Sequence, residues 1–331
     1  MSEAQAAAAQ RRALPTGGAR LLDRILDAGV LLSLIGLIVV FSILSPQFLT
    51  VDNLINIADA SAVVGIVAVG MTVALIAGQF DLSVGSVVGL SSSLLALSMA
   101  DWGVPVGLAI VIAIAAALCV GAINGVLVVN FGINSIIATL GMLAAVRGIA
   151  FVVAKGSPIS VDNPFLIDVG VSRPLGIPVA VYVMAVAYIG AWVLLTQFRL
   201  GVHIYAVGGD ETAAERAGVR HRRVLRFVFL LASFCAAIGA ILITAKSFSG
   251  QAVFGRSLEL DVLTAVLLGG VGLRGGEGSI GKTLIGVAIV GVLTNGLVLT
   301  QVEAYWTDVA RGGALIIAVV LEAVREKRAR R

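Results

Sequence analysis

Residues Gly276-Glu-Gly-Ser-Ile-Gly-Lys-Thr283 match the phosphate-loop pattern G-x-x-x-x-G-K-[ST] letter for letter. In that pattern the glycine-rich backbone cradles phosphates, the lysine reaches the terminal phosphates and the hydroxyl reaches magnesium, so the chemistry would be nucleotide hydrolysis. It needs a strand in front of the loop and a carboxylate elsewhere to hold the metal. Here the loop lies between two long apolar runs. No apolar strand ends in a magnesium-binding aspartate in a soluble region, and the chain has no Leu-Ser-Gly-Gly-Gln signature. Seven glycines fall within 269–281, which reads as a glycine-rich re-entrant turn rather than an ATP site.

Other reactive side chains assemble no catalytic set. His203 and His221 both fall in one polar segment, and Cys119 and Cys235 both fall in apolar runs. They supply no metal-ligand spacing, no disulfide framework and no nucleophile with a base at depth. Asp81, in Gly78-Gln-Phe-Asp-Leu-Ser-Val-Gly-Ser, has two readings: an N-cap for the next helix, assisted by Ser83, or a polar element lining a path through a bundle, since ionisable groups at depth are costly. The two are compatible, because broken helices often build transport sites. Asn124, Asn134, Thr139, Arg147, Asn295, Asp308 and Arg311 are the other polar groups within apolar runs. Asp308 and Arg311 share a helical face and could pair, and Arg147 needs a partner, a carbonyl or water.

The segment 198–223 is the most informative polar stretch. Asp210 is placed to cap a short helix over 210–217, and Gly218 to end it. Such a helix is marginal alone, so it is either a docking element for a partner or a solvated loop.

The elements that position these residues follow from composition. The 331 residues are 59% hydrophobic and 13% charged, about half the charged share of a soluble domain. Mean hydropathy is +1.06. With 39 glycines, the chain reads as an all-α integral membrane bundle in which small residues let backbones approach. Ten candidate spans are read at 28–45, 60–78, 82–100, 104–129, 134–154, 177–197, 224–246, 259–273, 280–300 and 304–322. The expected organisation is a cytoplasmic tail over 1–27, one transmembrane domain over 28–322 and a basic cytoplasmic tail over 323–331. No segment outside the spans is large enough to bury its own core. With the N-terminus inside, cytoplasmic segments hold 17 of the 23 Lys and Arg, and external segments only Lys155, Arg173, Lys246 and Arg256. That bias puts both termini inside. It also assigns the net charge of +4 to membrane orientation rather than to nucleic acid. No cleavable signal peptide is read, because the small residues Ala6–Ala9 precede the first apolar run.

Taken in order, Ser45-Pro-Gln-Phe-Leu-Thr, Ala68-Val-Gly-Met-Thr, Asp81-Leu-Ser-Val-Gly-Ser, Ala138-Thr-Leu-Gly-Met, Gly156-Ser-Pro-Ile, Tyr205-Ala-Val-Gly-Gly-Asp, Glu259-Leu-Asp, Leu268-Gly-Gly and Gly281-Lys-Thr-Leu-Ile-Gly resemble the permease subunit of bacterial ABC sugar importers of the ribose/xylose/galactose type, over about 45–322. The resemblance implies the type II importer architecture of ten spans in the cytoplasmic (inner) membrane, working as two copies. It implies that Gly208, Gly209, Asp210, Glu211, Ala213, Ala214, Ala217 and Gly218 present a coupling loop to an ABC ATPase subunit. ATP and magnesium would be bound by that subunit and no cofactor by this chain. A soluble binding protein would deliver a monosaccharide. Asp81, Ser83, Asn124, Asn134 and Asn295 are then candidates for the translocation path or its gating. Another small polar solute (a polyol, a signalling furanose, a branched-chain amino acid) or a stand-alone secondary transporter are the alternatives. Tyr205–Asp210 favours the sugar branch.

Overall fold

Where the apolar runs break decides the architecture. The computed structural model describes the backbone of residues 17–329, and side-chain surroundings within 29–320 except at residue 304. The basic residues Arg11, Arg12, Arg330 and Arg331, on which part of the orientation reading rests, lie outside the described residues. Each of the ten expected spans falls on a helix: α1 (Gly17–Leu44), α2 (Val51–Ile76), α3 (Val84–Ala100), α4 (Val106–Val129), α5 (Ser135–Val153), α7 (Val179–Gln197), α10 (His221–Ser247), α11 (Leu258–Leu268), α12 (Ile280–Leu299) and α13 (Ala304–Ala329). Between them lie α6 (Pro164–Val171), α8 (Arg199–Gly209) and α9 (Glu211–Arg216). Among the described residues six helices, α2, α4, α5, α7, α10 and α12, are long and apolar enough to cross a membrane.

α2 and α10 form the centre. From Ser61 to Ala77 every residue except Val64 is buried. Small residues make this density accessible: a Cβ at Gly70 would stand 2.7 Å from the Ala232 Cα, and one at Gly121 of α4 would stand 2.7 Å from the Phe229 carbonyl oxygen. Backbone approach of this kind supplies the dispersion contacts that hold helices together where lipid removes the hydrophobic drive between them. α4, α7 and α13 sit outside and turn large apolar side chains outward, among them Val111, Val186, Ile189, Ile316 and Ile317, the surface that acyl chains would cover.

α1 begins at Gly17 and α13 runs to Ala329, eleven and seven residues beyond the expected spans and into the segments read as tails; two further departures bear on the site. α2 begins at Val51, nine residues before the expected boundary, because Asp52, Asn53 and Asp59 make its first turns read as a polar loop. Asn53 is instead satisfied inside the fold: its Nδ2 donates to the Phe48 carbonyl (2.8 Å) and to Asn295 Oδ1 (3.0 Å), and Asn295 Nδ2 donates back to Asn53 Oδ1 (2.9 Å). The second departure is the eighth expected span. α11 has 11 residues, about 16 Å at 1.5 Å per residue, roughly half the hydrocarbon thickness. It is reached through a two-residue strand and a run of turns over 252–257. After α10 the strand Ser249–Gly250 pairs antiparallel with Ile159–Ser160. The chain then doubles back along α3, with Gly250 against Ser92, Ala252 and Phe254 against Gly89, and Gly255 against Gly85. The half-helix therefore starts inside the bundle and ends at the glycine-rich turn.

Candidate functional site: the coupling junction and the break between α2 and α3

Asp210 caps α9: its Oδ1 accepts from the Ala213 N–H at 2.9 Å. The helix ends at Gly218, where φ is +85°. Val219 N donates to the Ala214 carbonyl (3.0 Å) and Gly218 N to that of Glu215 (2.9 Å). This paired closure of a helix end uses a left-handed residue, which glycine supplies without a Cβ penalty. The expected short helix is thus present. It is preceded by α8, which the polar reading of 198–223 missed, although Gly201, Ile204 and Val207, all buried, recur at three-residue spacing along one face. His221, at the start of α10, closes the loop against Glu211 (3.5 Å) and Glu215 (3.7 Å).

The exposed face of α9 carries Glu211, Ala213, Glu215 and Ala217. Ala214 is different: it is 5% exposed and packs into the core. A bulky residue there would act by lifting α9 off the rest of the bundle.

The glycine-rich stretches meet at one point. Gly276 N donates to the Ile76 carbonyl at 2.8 Å, joining the glycine-rich turn to the last residue of α2. Gly208, near the end of α8, is wedged between them: a Cβ there would overlap the Ile76 carbonyl oxygen and stand 2.6 Å from Gly276 N. A Cβ at Gly275 would stand 2.6 Å from the Gly78 Cα and one at Gly276 2.7 Å from the Gly209 Cα, and Gly275 and Gly276 hold φ of +82° and +76°. Tyr205 of α8 donates its hydroxyl to the Gly278 carbonyl at 2.9 Å, and burial pushes that hydroxyl's pKa up. The end of α8, the end of α2 and the glycine-rich turn are therefore in backbone contact.

This geometry also disposes of the phosphate-loop pattern. The Gly276 N–H, one of the donors the pattern would aim at a phosphate, is spent on Ile76. Thr283, which would reach magnesium, is fully buried with its hydroxyl 2.9 Å from that of Thr72.

A few residues from this junction the chain breaks between α2 and α3. Asp81, Ser83 and Asn124 are fully buried together. Asp81 Oδ1 accepts from Ser83 N (3.0 Å), from Ser83 Oγ (2.5 Å) and from Asn124 Nδ2 (3.4 Å), and Asn124 Nδ2 also donates to Ser83 Oγ (2.9 Å). Asp81 does not cap α3 as the sequence reading expected: the N-cap position is Ser83, without a side-chain cap bond, and the Asp81 carboxylate turns the chain just before it by accepting the Ser83 N–H. α5 holds the break from the other side: Phe80 N donates to Ser135 Oγ and Leu82 N to Thr139 Oγ1, each at 3.2 Å. Asn134 is exposed and caps α5, accepting from Ile136 N (3.0 Å) and Ile137 N (3.4 Å). Asn295, in its amide pair with Asn53, sits apart from the Asp81 group.

The arginines within apolar runs find acids that sequence reading did not assign, beside the expected Asp308–Arg311 pair. Arg147 of α5 pairs with Glu259 at 3.2 Å. Arg311 of α13 pairs with Asp261 at 3.5 Å, and lies 3.9 Å from Asp308. The signal was present: two arginines inside spans require acids at similar depth, and Glu259-Leu-Asp261 opens an otherwise apolar run.

Comparison with known proteins places these features in a family. A family model described as "Branched-chain amino acid transport system / permease component" matches residues 53–319. The ribose import permease protein of Escherichia coli K12 is 37% identical over 296 residues, covering 88% of this chain and 92% of that protein. The ribose import permease protein of Bacillus subtilis is 39% identical over 296 residues, covering 89% and 92%. The D-allose transport system permease protein of Escherichia coli is 31% identical over 292 residues, covering 88% and 90%. No solved structure matches the chain.

Proposed function

The chain belongs to the family of transport-system permease components, and from that premise we propose that it is the membrane permease of an ATP-driven ABC importer carrying a monosaccharide. The observation that carries this reading is the glycine junction. A capped helix with an exposed polar face, α9, follows directly on α8, whose end is packed backbone to backbone onto the break between two apolar helices. A secondary transporter has no need of such a lever. The solute class follows from relatives named for ribose, D-allose and L-arabinose.

In this account α9 seats on an ABC ATPase subunit, which binds ATP and magnesium. The outward side chains Glu211, Thr212, Glu215 and Arg216 make that contact. Closure of the ATPase pair pushes α8 and α9. Gly208 and Tyr205 pass the displacement to Ile76 and the glycine-rich turn, which together hold the last turn of α2 and the first of α12. The break yields at 80–83, because the Phe80 and Leu82 N–H groups are tied by side-chain hydroxyls and that of Ser83 by the Asp81 carboxylate rather than by a helical ladder. Asp81, Ser83 and Asn124 act as its hinge. A second copy of the chain completes the path, and a soluble binding protein delivers the sugar. The Lys and Arg distribution favours the cytoplasmic membrane with both termini inside.

The test is reconstitution of the chain in liposomes with the ATPase and binding protein that co-purify with it. Uptake of labelled D-ribose, D-allose or L-arabinose that requires ATP and all components is expected. Uptake by the chain alone, without ATP, would overturn the reading.

A further inference from the structure

The contact between α9 and α10 turns on one ring. His221 is the first residue of α10, and its side chain is 13% exposed. Its Nε2 lies 3.5 Å from Glu211 Oε1 and its Nδ1 lies 3.7 Å from Glu215 Oε1. The two acids are four positions apart on α9, so they are neighbours on one side of that helix. They remain 53% and 64% exposed. Each ring nitrogen therefore faces a carboxylate. A neutral imidazole has one N–H and one lone pair, so it offers a donor to one carboxylate and sets acceptor against acceptor at the other. Only the imidazolium donates from both nitrogens. Both separations are those of an ion pair rather than of a close hydrogen bond, so attraction between charges is what holds the ring to α9.

The other charges on the elements packed there leave this pairing to the two acids. α9 carries one further charge, Arg216, and Asp210 before it is engaged in capping the Ala213 N–H. α8 brings Arg199 and His203. Arg220 precedes the ring, and Arg222, Arg223 and Arg226 follow it on α10, with Arg226 donating to Asn130 Oδ1 at 2.9 Å. Of the other helices that pack on α10, α3 and α4 carry no charged side chain, and the acids of α2 and α6 (Asp52, Asp59 and Asp168) lie toward its far end. The arginines and the positive end of the helix dipole oppose a charge on the ring; Glu211 and Glu215 favour it. Imidazole is the side chain whose ordinary change of charge falls in the physiological range. α9 has six residues, too few to hold itself. What seats it on the bundle is Ala214 in the core and this ring.

We propose that His221 is a positioning residue for coupling: protonated, it clasps Glu211 and Glu215 and seats α9; deprotonated, it releases one of them, so coupling weakens as the pH around the loop rises. The clasp rests on this geometry, and its consequence for transport rests on the importer reading, so the two are tested separately. Cys119 and Cys235 are replaced by alanine, and Ala213→Cys, exposed on α9, carries a nitroxide spin label in the full-length chain in nanodiscs. Label mobility is read at about pH 5.5 and about pH 8, on either side of the imidazole range. With His221 the mobile fraction rises about twofold or more at the higher pH, the scale of a partly exposed ion pair. His221→Lys, charged at both, stays immobile at both; His221→Gln, neutral at both, is mobile at both. Sugar carried per ATP hydrolysed, measured on the complex with its ATPase, follows the same pattern: it falls about twofold or more with His221 and with neither variant. Mobility that changes with pH equally in all three proteins, or in none, would overturn the clasp. A clasp that responds to pH while sugar per ATP does not follow would overturn its role in coupling. Absence of ATP-driven uptake by the unsubstituted complex would overturn the importer reading, while the label still decides the clasp.

Discussion

Gly208→Ala tests the coupling junction with one added carbon. A methyl carbon needs about 3.3 Å from a polar backbone atom, but the new Cβ would stand 2.6 Å from Gly276 N and would overlap the Ile76 carbonyl oxygen. The glycine-rich turn must move about 0.7 Å and the end of α2 further, if ordinary contact at about 3.3 Å is to be restored. Overpacking of this kind costs about 1–3 kcal/mol. The displaced Gly276–Ile76 hydrogen bond adds about 1 kcal/mol. The gain in helix propensity is under about 1 kcal/mol and smaller at a helix end. The net penalty of about 2–3 kcal/mol falls on the seating of α8 against the break, a shift of roughly 30-fold or more in its population. Gly209→Ala is the control, since its Cβ meets nothing nearer than the Gly276 Cα at 4.0 Å. Sugar carried per ATP hydrolysed is measured in liposomes with the partner subunits. Gly208→Ala should transport at a tenth of the unsubstituted rate or less while hydrolysis continues, and Gly209→Ala at half or more. Equal behaviour of the two variants would refute the reasoning, as would unchanged coupling in Gly208→Ala.

Three further outcomes follow from the same geometry. Ala214→Leu overpacks a buried site by about 1–3 kcal/mol and should loosen α9, seen as faster tryptic cleavage at Arg216 and Arg220 in the assembled permease; unchanged cleavage would contradict the burial of Ala214. Replacing Asn53 or Asn295 by leucine breaks a reciprocal amide pair, and a double-mutant cycle of thermal unfolding in detergent should give a coupling near the ~0.6 kcal/mol typical of membrane proteins; strict additivity would deny the pair. Lys282→Gln should leave ATP-driven uptake within threefold, whereas a loss of two orders of magnitude would revive the phosphate-loop reading.

Much of this fold was legible because membranes simplify it. Each apolar run of spanning length became a helix, and Asp210 and Gly218 marked the ends of α9 by local chemistry alone. What was not legible depended on pairing across the chain. Nothing in the sequence joins the glycines at 208 and 276; only the fold reveals that Gly208 lacks a Cβ because Ile76 and Gly276 occupy the space, and Gly276 because Gly209 does. The half-helix α11 read as a short span over 259–273 because hydropathy does not register that the residues before it fold in turns along α3. Asn295 read as a polar group available to a path, while its amide is taken by Asn53, 242 positions away. Asp81 read both as a cap and as a path element; the cap position is taken by Ser83 instead, and the burial of Asp81 with Ser83 and Asn124 makes a hinge the natural form of the second role.

The most direct test of the account is whether transport by this chain is driven from outside it. The permease is purified from its host with the ATPase that accompanies it, placed in liposomes with the binding protein, and supplied with labelled sugar with and without ATP. Accumulation that needs ATP, and that stops when the catalytic carboxylate of the ATPase is replaced, is the result the account predicts. Accumulation by the permease alone, indifferent to ATP, would contradict it.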